Sequence, residues 1–339
     1  MRYKLFGRSG LRVSEVALGT MTFGEDWGWG ASKEESRKIF DRYAEAGGNF
    51  VDTSINYTNG TSEAYVGDFV SSDRDHFVVA TKYSLSTRKD DLNFGGNHRK
   101  NLVRSLEASL GHLRTDHVDL LWLHMWDGTT PVDEVLRALD DSVRAGKVLH
   151  VGFSDTPAWV ISQACAVAEL RGWTRPVAVQ IPYSLADRSV ERDVLPMARA
   201  MGLAVTPWGL LEGGVLTGKY AKGGDEPKRY GDHQASEQEM AAAAVVAEVA
   251  AEVGATASQV AITWVRRQPG TIIPILGART EVQIKDNLAS LDVDLSDEHL
   301  RRLSEASPIK LGFPRDFLES KNVQELIFGE TRGLLDRPS

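Results

Sequence analysis

Short apolar or β-branched runs recur along the chain, separated by segments that carry helix punctuation. The runs are Val13–Leu18, Phe50–Thr53, Phe77–Thr81, Val118–Leu123, Leu149–Phe153, Val177–Ile181, Leu203–Thr206 and Thr271–Ile275. Their hydrophobicity is nearly continuous, which suits parallel strands covered on both faces. Between them, Ser32 to Glu35 reads as a capping box and Gly47-Gly48 as a helix stop. Thr130-Pro131 and Thr156-Pro157 each pair a capping residue with proline at a first helical position. Leu102, Leu106, Leu110 and Leu113 share one helical face. Thr280 with Gln283 opens the last helix of the repeat. Eight strand–helix units close most economically into a (β/α)8 TIM barrel, an α/β fold; an open doubly wound sheet is the alternative.

Two segments exceed that plan. Residues 209–239 form a long connection after the seventh strand, rich in Gly, Lys and Asp, and read as a covering loop. Residues 292–339 add a helix over Asp297–Ala306 and a tail carrying Phe313, Phe317 and Phe328. No linker divides the chain, so residues 1–339 read as one barrel domain. With 339 residues, 42% of them apolar, there is material for a sizeable core. The 39 basic and 47 acidic residues give a net charge of −8, and no basic block interrupts the pattern. That balance argues against nucleic acid and anionic membranes as partners. The single cysteine, Cys165, excludes an internal disulfide and a cysteine-rich metal site. The N-terminus lacks an apolar signal core, and the most helix-like apolar stretch is broken by Glu248 and Glu252. A soluble, cytoplasmic protein is expected.

In a barrel, chemistry collects at the C-terminal ends of the strands. Here polar residues close one apolar run after another: Asp52, Lys82, His124, Ser154-Asp155, Gln180, Trp208 and Gly277. Each would cost desolvation unless paired or functional. Asp52, Tyr57, Lys82 and His124 form the first group. A lysine held charged by an aspartate favours phenolate and is expected to lower the tyrosine pKa. Such a tyrosine can serve as general acid or base while His124 donates a hydrogen bond to a substrate oxygen. A structural ion pair beside an unrelated tyrosine is the competing explanation.

Gly277-Ala278-Arg279, followed by Thr280, Gln283 and Asn287, places a helix N-terminus beside an arginine, an anion site suited to a ribose phosphate. Gly213 to Lys219 matches GxxxxGK, but Tyr220 stands where a magnesium-ligating hydroxyl is needed. A nucleotide hydrolase is therefore disfavoured. No GxGxxG fingerprint and no clustered Cys/His ligands occur, which argues against a Rossmann domain and a catalytic metal. Phe23, Trp27, Trp29, Tyr83 and Trp126 follow the strands and are candidates for an aromatic substrate pocket.

Over residues 1–306 the chain resembles the aldo-keto reductases. The resemblance rests on Leu18-Gly19-Thr20-Met21, Asn49-Phe50-Val51-Asp52-Thr53, Tyr57, Gly60-Thr61-Ser62-Glu63, Ala80-Thr81-Lys82, Asp119 to His124, Gly146-Lys147-Val148, Gly152-Phe153-Ser154, Gln180 to Ser184 and Leu216 to Tyr220. It implies a TIM barrel that binds NADPH and transfers hydride to an aldehyde or ketone, reversibly with alcohols. It implies that Tyr57 is the proton donor, tuned by Lys82 and Asp52, with His124 orienting the carbonyl. Ser154, Asp155 and Gln180 would meet the nicotinamide carboxamide and Trp208 would stack on its ring, with Gly19, Thr20 and Met21 lining the pocket. Gly209, Leu210 and Lys219 would meet the pyrophosphate. Gly277, Arg279, Gln283 and Asn287 would meet the 2′-phosphate and adenine. Two positions depart from the family pattern. Asp155 stands where an asparagine is usual, and Gln283 where other branches carry a basic residue, leaving the phosphate mainly to Arg279. The resemblance also admits a cofactor-binding, redox-sensing regulatory subunit with little turnover.

Overall fold

Alternation along each strand decides which side chains fill a barrel and which meet its helices. The computed structural model describes residues 1–218 and 235–335, and in it eight parallel strands join in one sheet. They are β3 (Ala17–Gly19), β4 (Phe50–Asp52), β5 (Val78–Tyr83), β6 (Val118–Leu123), β7 (Val148–Ser154), β8 (Ala178–Pro182), β9 (Ala204–Trp208) and β10 (Ile275–Gly277). Their order is β10-β3-β4-β5-β6-β7-β8-β9. Val205 of β9 bridges to Ile272, and its N–H donates to the Thr271 carbonyl at 2.8 Å, so the sheet nearly closes. This is the (β/α)8 barrel expected. The helices around it are α1 (Lys33–Glu45), α2 (Thr61–Val70), α3 (Arg99–Leu113), α4 (Val132–Arg144), α5 (Ala158–Arg171), α6 (Val194–Met201), α7 (Glu237–Val253), α8 (Ala257–Arg266) and α9 (Glu281–Ala289). Beyond them, α10 (Asp297–Ala306) lies where the sequence placed a helix, and α11 (Arg315–Glu319) and α12 (Lys321–Phe328) follow.

Phe50, Val78, Ala80, Leu120, Trp122, Ala178 and Ala204 point into the barrel and form one apolar cluster. Their neighbours Val51, Val79, Leu121, Phe153 and Val179 belong to a second cluster, shared with the helices. Gly152 makes room for the indole of Trp122, since a Cβ there would lie 2.3 Å from the ring. The interior layer is capped from below by an N-terminal hairpin, β1 (Tyr3–Leu5) and β2 (Arg12–Ser14), paired antiparallel. The hairpin seats Phe6, fully buried, edge-on against Phe50 at 5.3 Å and Trp122 at 6.4 Å.

Three local expectations need correction. The run Val13–Leu18 is two elements: Val13 belongs to the hairpin, and the chain turns where the Asn49 side chain accepts from Ser14 N–H at 2.7 Å. The last strand starts at Ile275 rather than Thr271, because Pro274 has no N–H to give the ladder. Pro131 and Pro157 take extended cap conformations, so α4 and α5 begin one residue later than expected. Within the GxxxxGK segment, Glu212–Thr217 form a short 3-10 turn with Gly213 and Gly214 at positive φ. Residues 219–234 of the proposed covering loop, Lys219 among them, lie outside the described residues. Among the described residues no single helix is long and apolar enough to cross a membrane.

Candidate active site

The same two-residue period raises polar side chains one step above the apolar interior layer. Phe50 is followed by Asp52 on the inner face of β4, Ala80 by Lys82 on β5, Trp122 by His124 after β6, and Ala178 by Gln180 on β8. Lys82 is fully buried, and its ammonium donates to Asp52 Oδ2 at 2.5 Å, the Thr53 carbonyl at 2.8 Å and the Tyr57 hydroxyl at 3.1 Å. Gln180 Nε2 donates to the other oxygen of Asp52 at 3.0 Å. The lysine pKa is raised: burial works against the charge, but Asp52 and then Tyr57 outweigh it. Lys82 is therefore a fixed cation at the mouth of the barrel.

Tyr57 sits in the loop after β4, partly exposed at the rim. The next three residues, Thr58, Asn59 and Gly60, all have positive φ, at 45°, 55° and 95°. For a β-branched threonine that conformation is strained. It is held because Thr58 Oγ1 donates to the Phe23 carbonyl at 2.6 Å and accepts from Ser62 N–H at 3.1 Å. The tyrosine pKa is raised, against expectation. Burial dominates, and the opposing field of Lys82 only moderates it. The hydroxyl thus stays protonated, loaded to donate, with a cation beside it to receive the phenolate.

His124 packs edge-on to Tyr57 at 5.9 Å. Burial, helped by Lys82, pushes its pKa well down, so the ring is neutral. Its Nδ1 meets Ser54 Oγ at 3.2 Å, and Ser54 donates to Asn56 Oδ1 at 2.7 Å. A neutral imidazole has one donor and one acceptor, so this chain governs which nitrogen carries the proton. Donation from Nε2 requires Asn56 to present its amide N–H to Ser54. The sequence reading did not single out Ser54 or Asn56; the polar run Thr53-Ser54 directly after an apolar strand was the available signal.

Around this mouth, Ser154 Oγ is buried and has no hydrogen-bond partner among the described residues. A hydroxyl in that state fits a ligand amide or carbonyl. Asp155 takes a positive φ of 42°, and its Oδ1 accepts from Trp208 Nε1 at 3.3 Å. Burial pushes its carboxyl up to about 6, against the pull of Trp208 and Lys82. Thr20 ties β3 to β4 by donating to the Asp52 carbonyl from N–H and Oγ1, at 3.0 and 3.1 Å. Gly19 lies where a Cβ would come within 2.6 Å of Ile275, and Met21 follows, partly exposed. Gly209 leaves β9 at φ 76°, with open space where a Cβ would stand, whereas the Leu210 side chain is buried in the outer apolar layer.

At β10 the turn into α9 is pinned by side chains read as ligand contacts. Gln283 Oε1 accepts from Arg279 N–H at 2.8 Å, and Asn287 Nδ2 donates to the Gly277 carbonyl at 3.1 Å. Arg279 makes no ion pair with an acid among the described residues, so its guanidinium is available to an anion.

The proposed aromatic pocket divides. Trp27 stands edge-on to Tyr57 at 6.5 Å and lies 5.7 Å from Trp29. Trp126 is partly buried, its N–H donating to the Asp155 carbonyl at 3.4 Å. Phe23 and Tyr83 are not pocket walls. Phe23 is fully buried against Phe69 at 6.1 Å, and Tyr83 points away from the barrel axis into the helical layer, its hydroxyl donating to the Asn97 carbonyl at 3.3 Å. The alternation that turns Lys82 inward turns Tyr83 outward. Among the described residues no group of His, Cys, Asp and Glu could hold a metal.

The fold and this mouth define a β/α barrel that places a proton-bearing tyrosine on a buried lysine–aspartate pair. Residues 15–308 match the model of the aldo/keto reductase family. A norsolorinic acid reductase of Emericella nidulans is 40% identical over 323 residues, covering 91% of this chain and 82% of the relative. The aryl-alcohol dehydrogenase [NADP(+)] of Phanerodontia chrysosporium is 35% identical, covering 90% and 85%. An aldo-keto reductase of Aspergillus calidoustus is 34% identical, covering 94% and 85%. The chain belongs to the aldo/keto reductase family of oxidoreductases.

Proposed function

We propose that this protein is an NADPH-dependent reductase of aldehydes or ketones, working in reverse on alcohols. The observation that carries the reading is the contact between the buried Lys82 ammonium and the Tyr57 hydroxyl at the barrel mouth. The cofactor, when bound, supplies hydride to the carbonyl carbon. Tyr57 gives its proton to the carbonyl oxygen, and Lys82 stabilises the phenolate left behind. Asp52 keeps Lys82 charged and in place, and Gln180 holds Asp52. With the Asn56 amide turned to give its N–H to Ser54, Ser54 donates to Nδ1 and His124 donates from Nε2 to the same substrate oxygen, fixing its direction. Ser154, Asp155 and Trp208 form the nicotinamide end of the site, and Arg279 the phosphate end. The Ser154 hydroxyl, without a partner among the described residues, and Arg279, without an acid partner among them, fit those roles.

Trp27 and Trp126 flank the mouth and suit an aromatic carbonyl compound. Two relatives named for norsolorinic acid and aryl alcohols lend support. The test is nicotinamide absorbance loss with an activated aryl aldehyde. Tyr57→Phe is expected to retain NADPH binding while turnover falls about 10²- to 10⁴-fold, the range typical of a lost general acid. Turnover within about threefold of the native protein would remove Tyr57 from the chemistry.

A further inference from the structure

Resting on that reading, the mouth contains one ionisable group that the proton-transfer steps do not use. Asp155 follows the buried Ser154 at the end of β7 and shares a hydrogen bond with the Trp208 indole. It is partly buried, and no cationic side chain pairs with it among the described residues. Its Oδ1 accepts from the Trp208 indole at 3.3 Å, and its charge is felt by Tyr57 as that of Lys82 is felt by it, so the carboxyl belongs to the same electrostatic site as the proton-transfer group. A nicotinamide ring delivering hydride toward a Tyr57-bound carbonyl must lie in that same region. The ring is neutral when reduced and carries a positive charge when oxidised. A carboxylate attracts the oxidised ring. A carboxylic acid offers an O–H donor to a carboxamide, as an asparagine amide would, and attracts neither form by charge.

We propose that Asp155 discriminates the redox state of the bound cofactor: ionised, it holds the oxidised nicotinamide preferentially, and protonated, it removes that preference. The neighbouring titratable groups do not blur the effect. Lys82 stays charged, Asp52 is bound to it, Tyr57 stays protonated and His124 stays neutral. Asp155, pushed up to about 6, titrates between mildly acid and neutral pH. The consequence is directional. Acid pH eases release of the oxidised product cofactor, and neutral pH favours its retention.

The experiment is calorimetric titration of the full chain with NADP+ and with NADPH, separately, from about pH 5 to about pH 7.5, a window that brackets this carboxyl. The 2′-phosphate of both cofactors titrates near pH 6, as phosphomonoesters do, so the ratio of the two dissociation constants is read and that contribution cancels. The ratio Kd(NADP+)/Kd(NADPH) is expected to fall about tenfold across the window, the scale of one charge acting over several ångströms in a partly buried site. Asp155→Asn, neutral and of the same shape, is expected to hold the ratio constant. In the native protein, titration in buffers of different ionisation enthalpy at about pH 6 is expected to show more proton release with NADP+ than with NADPH. A ratio independent of pH in the native protein, or a slope that persists in Asp155→Asn, overturns the proposal alone. Failure of both cofactors to bind overturns the proposal together with the functional reading beneath it.

Discussion

Replacing Lys82 with methionine isolates the charge of the buried pair. Methionine is unbranched and flexible enough to fill the space of the lysine stem. What disappears is an ammonium that serves Asp52, the Thr53 carbonyl and Tyr57 at 2.5, 2.8 and 3.1 Å. Both side chains of the pair are at most 3% exposed, so water cannot replace the lost donor. Asp52 is left with the Gln180 amide as its side-chain donor. Stranding one partner of a buried pair costs about 3–5 kcal/mol. For a chain of 339 residues, with an unfolding entropy of about 0.7 kcal/mol/K, that corresponds to a fall in Tm of roughly 4–7 °C. The double variant Lys82→Met/Asp52→Asn removes the stranded charge and is expected to recover about half or more of the loss. Thermal unfolding followed by circular dichroism at neutral pH reads both. A Tm for Lys82→Met within about 2 °C of the native protein, or a double variant no more stable than the single, would refute the reasoning.

Arg279→Ala is expected to weaken NADPH by roughly 1.5–3 kcal/mol, the worth of a charge-assisted hydrogen bond, while NADH affinity changes little; equal losses for the two cofactors would take Arg279 off the phosphate. Asp155→Asn is expected to stabilise the fold above about pH 6. The carboxyl pKa is raised on folding, so its contribution is fully present at low pH and is lost as pH rises through the folded value of about 6. The loss amounts to roughly 2–4 kcal/mol at neutral pH. Parallel stability curves for the two proteins between about pH 4 and about pH 6, the interval over which the loss accumulates, would contradict it.

The barrel was legible because parallel strands announce themselves as unbroken apolar runs, and Asp52, Lys82, His124 and Gln180 because each closes one. Other features were hidden for physical reasons. The hairpin strand Tyr3–Leu5 is only three residues long and mostly exposed, so it leaves no apolar run. Tyr83 and Phe23 follow strands as a pocket wall would, but orientation within the barrel rather than position in a loop decides their role. Gln283 and Asn287 have the right chemistry for a ligand, yet the backbone of their own turn engages their amides. The sign of the Tyr57 shift needed the structure, because a lysine neighbour and burial act in opposite directions and only packing shows which is larger.

The closed surroundings of Lys82 also bear on how the site resets. All three of its hydrogens are engaged by Asp52, Thr53 and Tyr57, and beneath it lie Trp122 and the Phe6 plug. That layer is apolar and, among the described residues, holds no ionisable group to relay a proton through the barrel floor. With Tyr57 as donor, the proton it loses in each cycle returns by the mouth that admits the substrate. On the proposed reaction, departure of the alcohol and reloading of the tyrosine would share one doorway, and a product held there would also starve the next turnover of its proton.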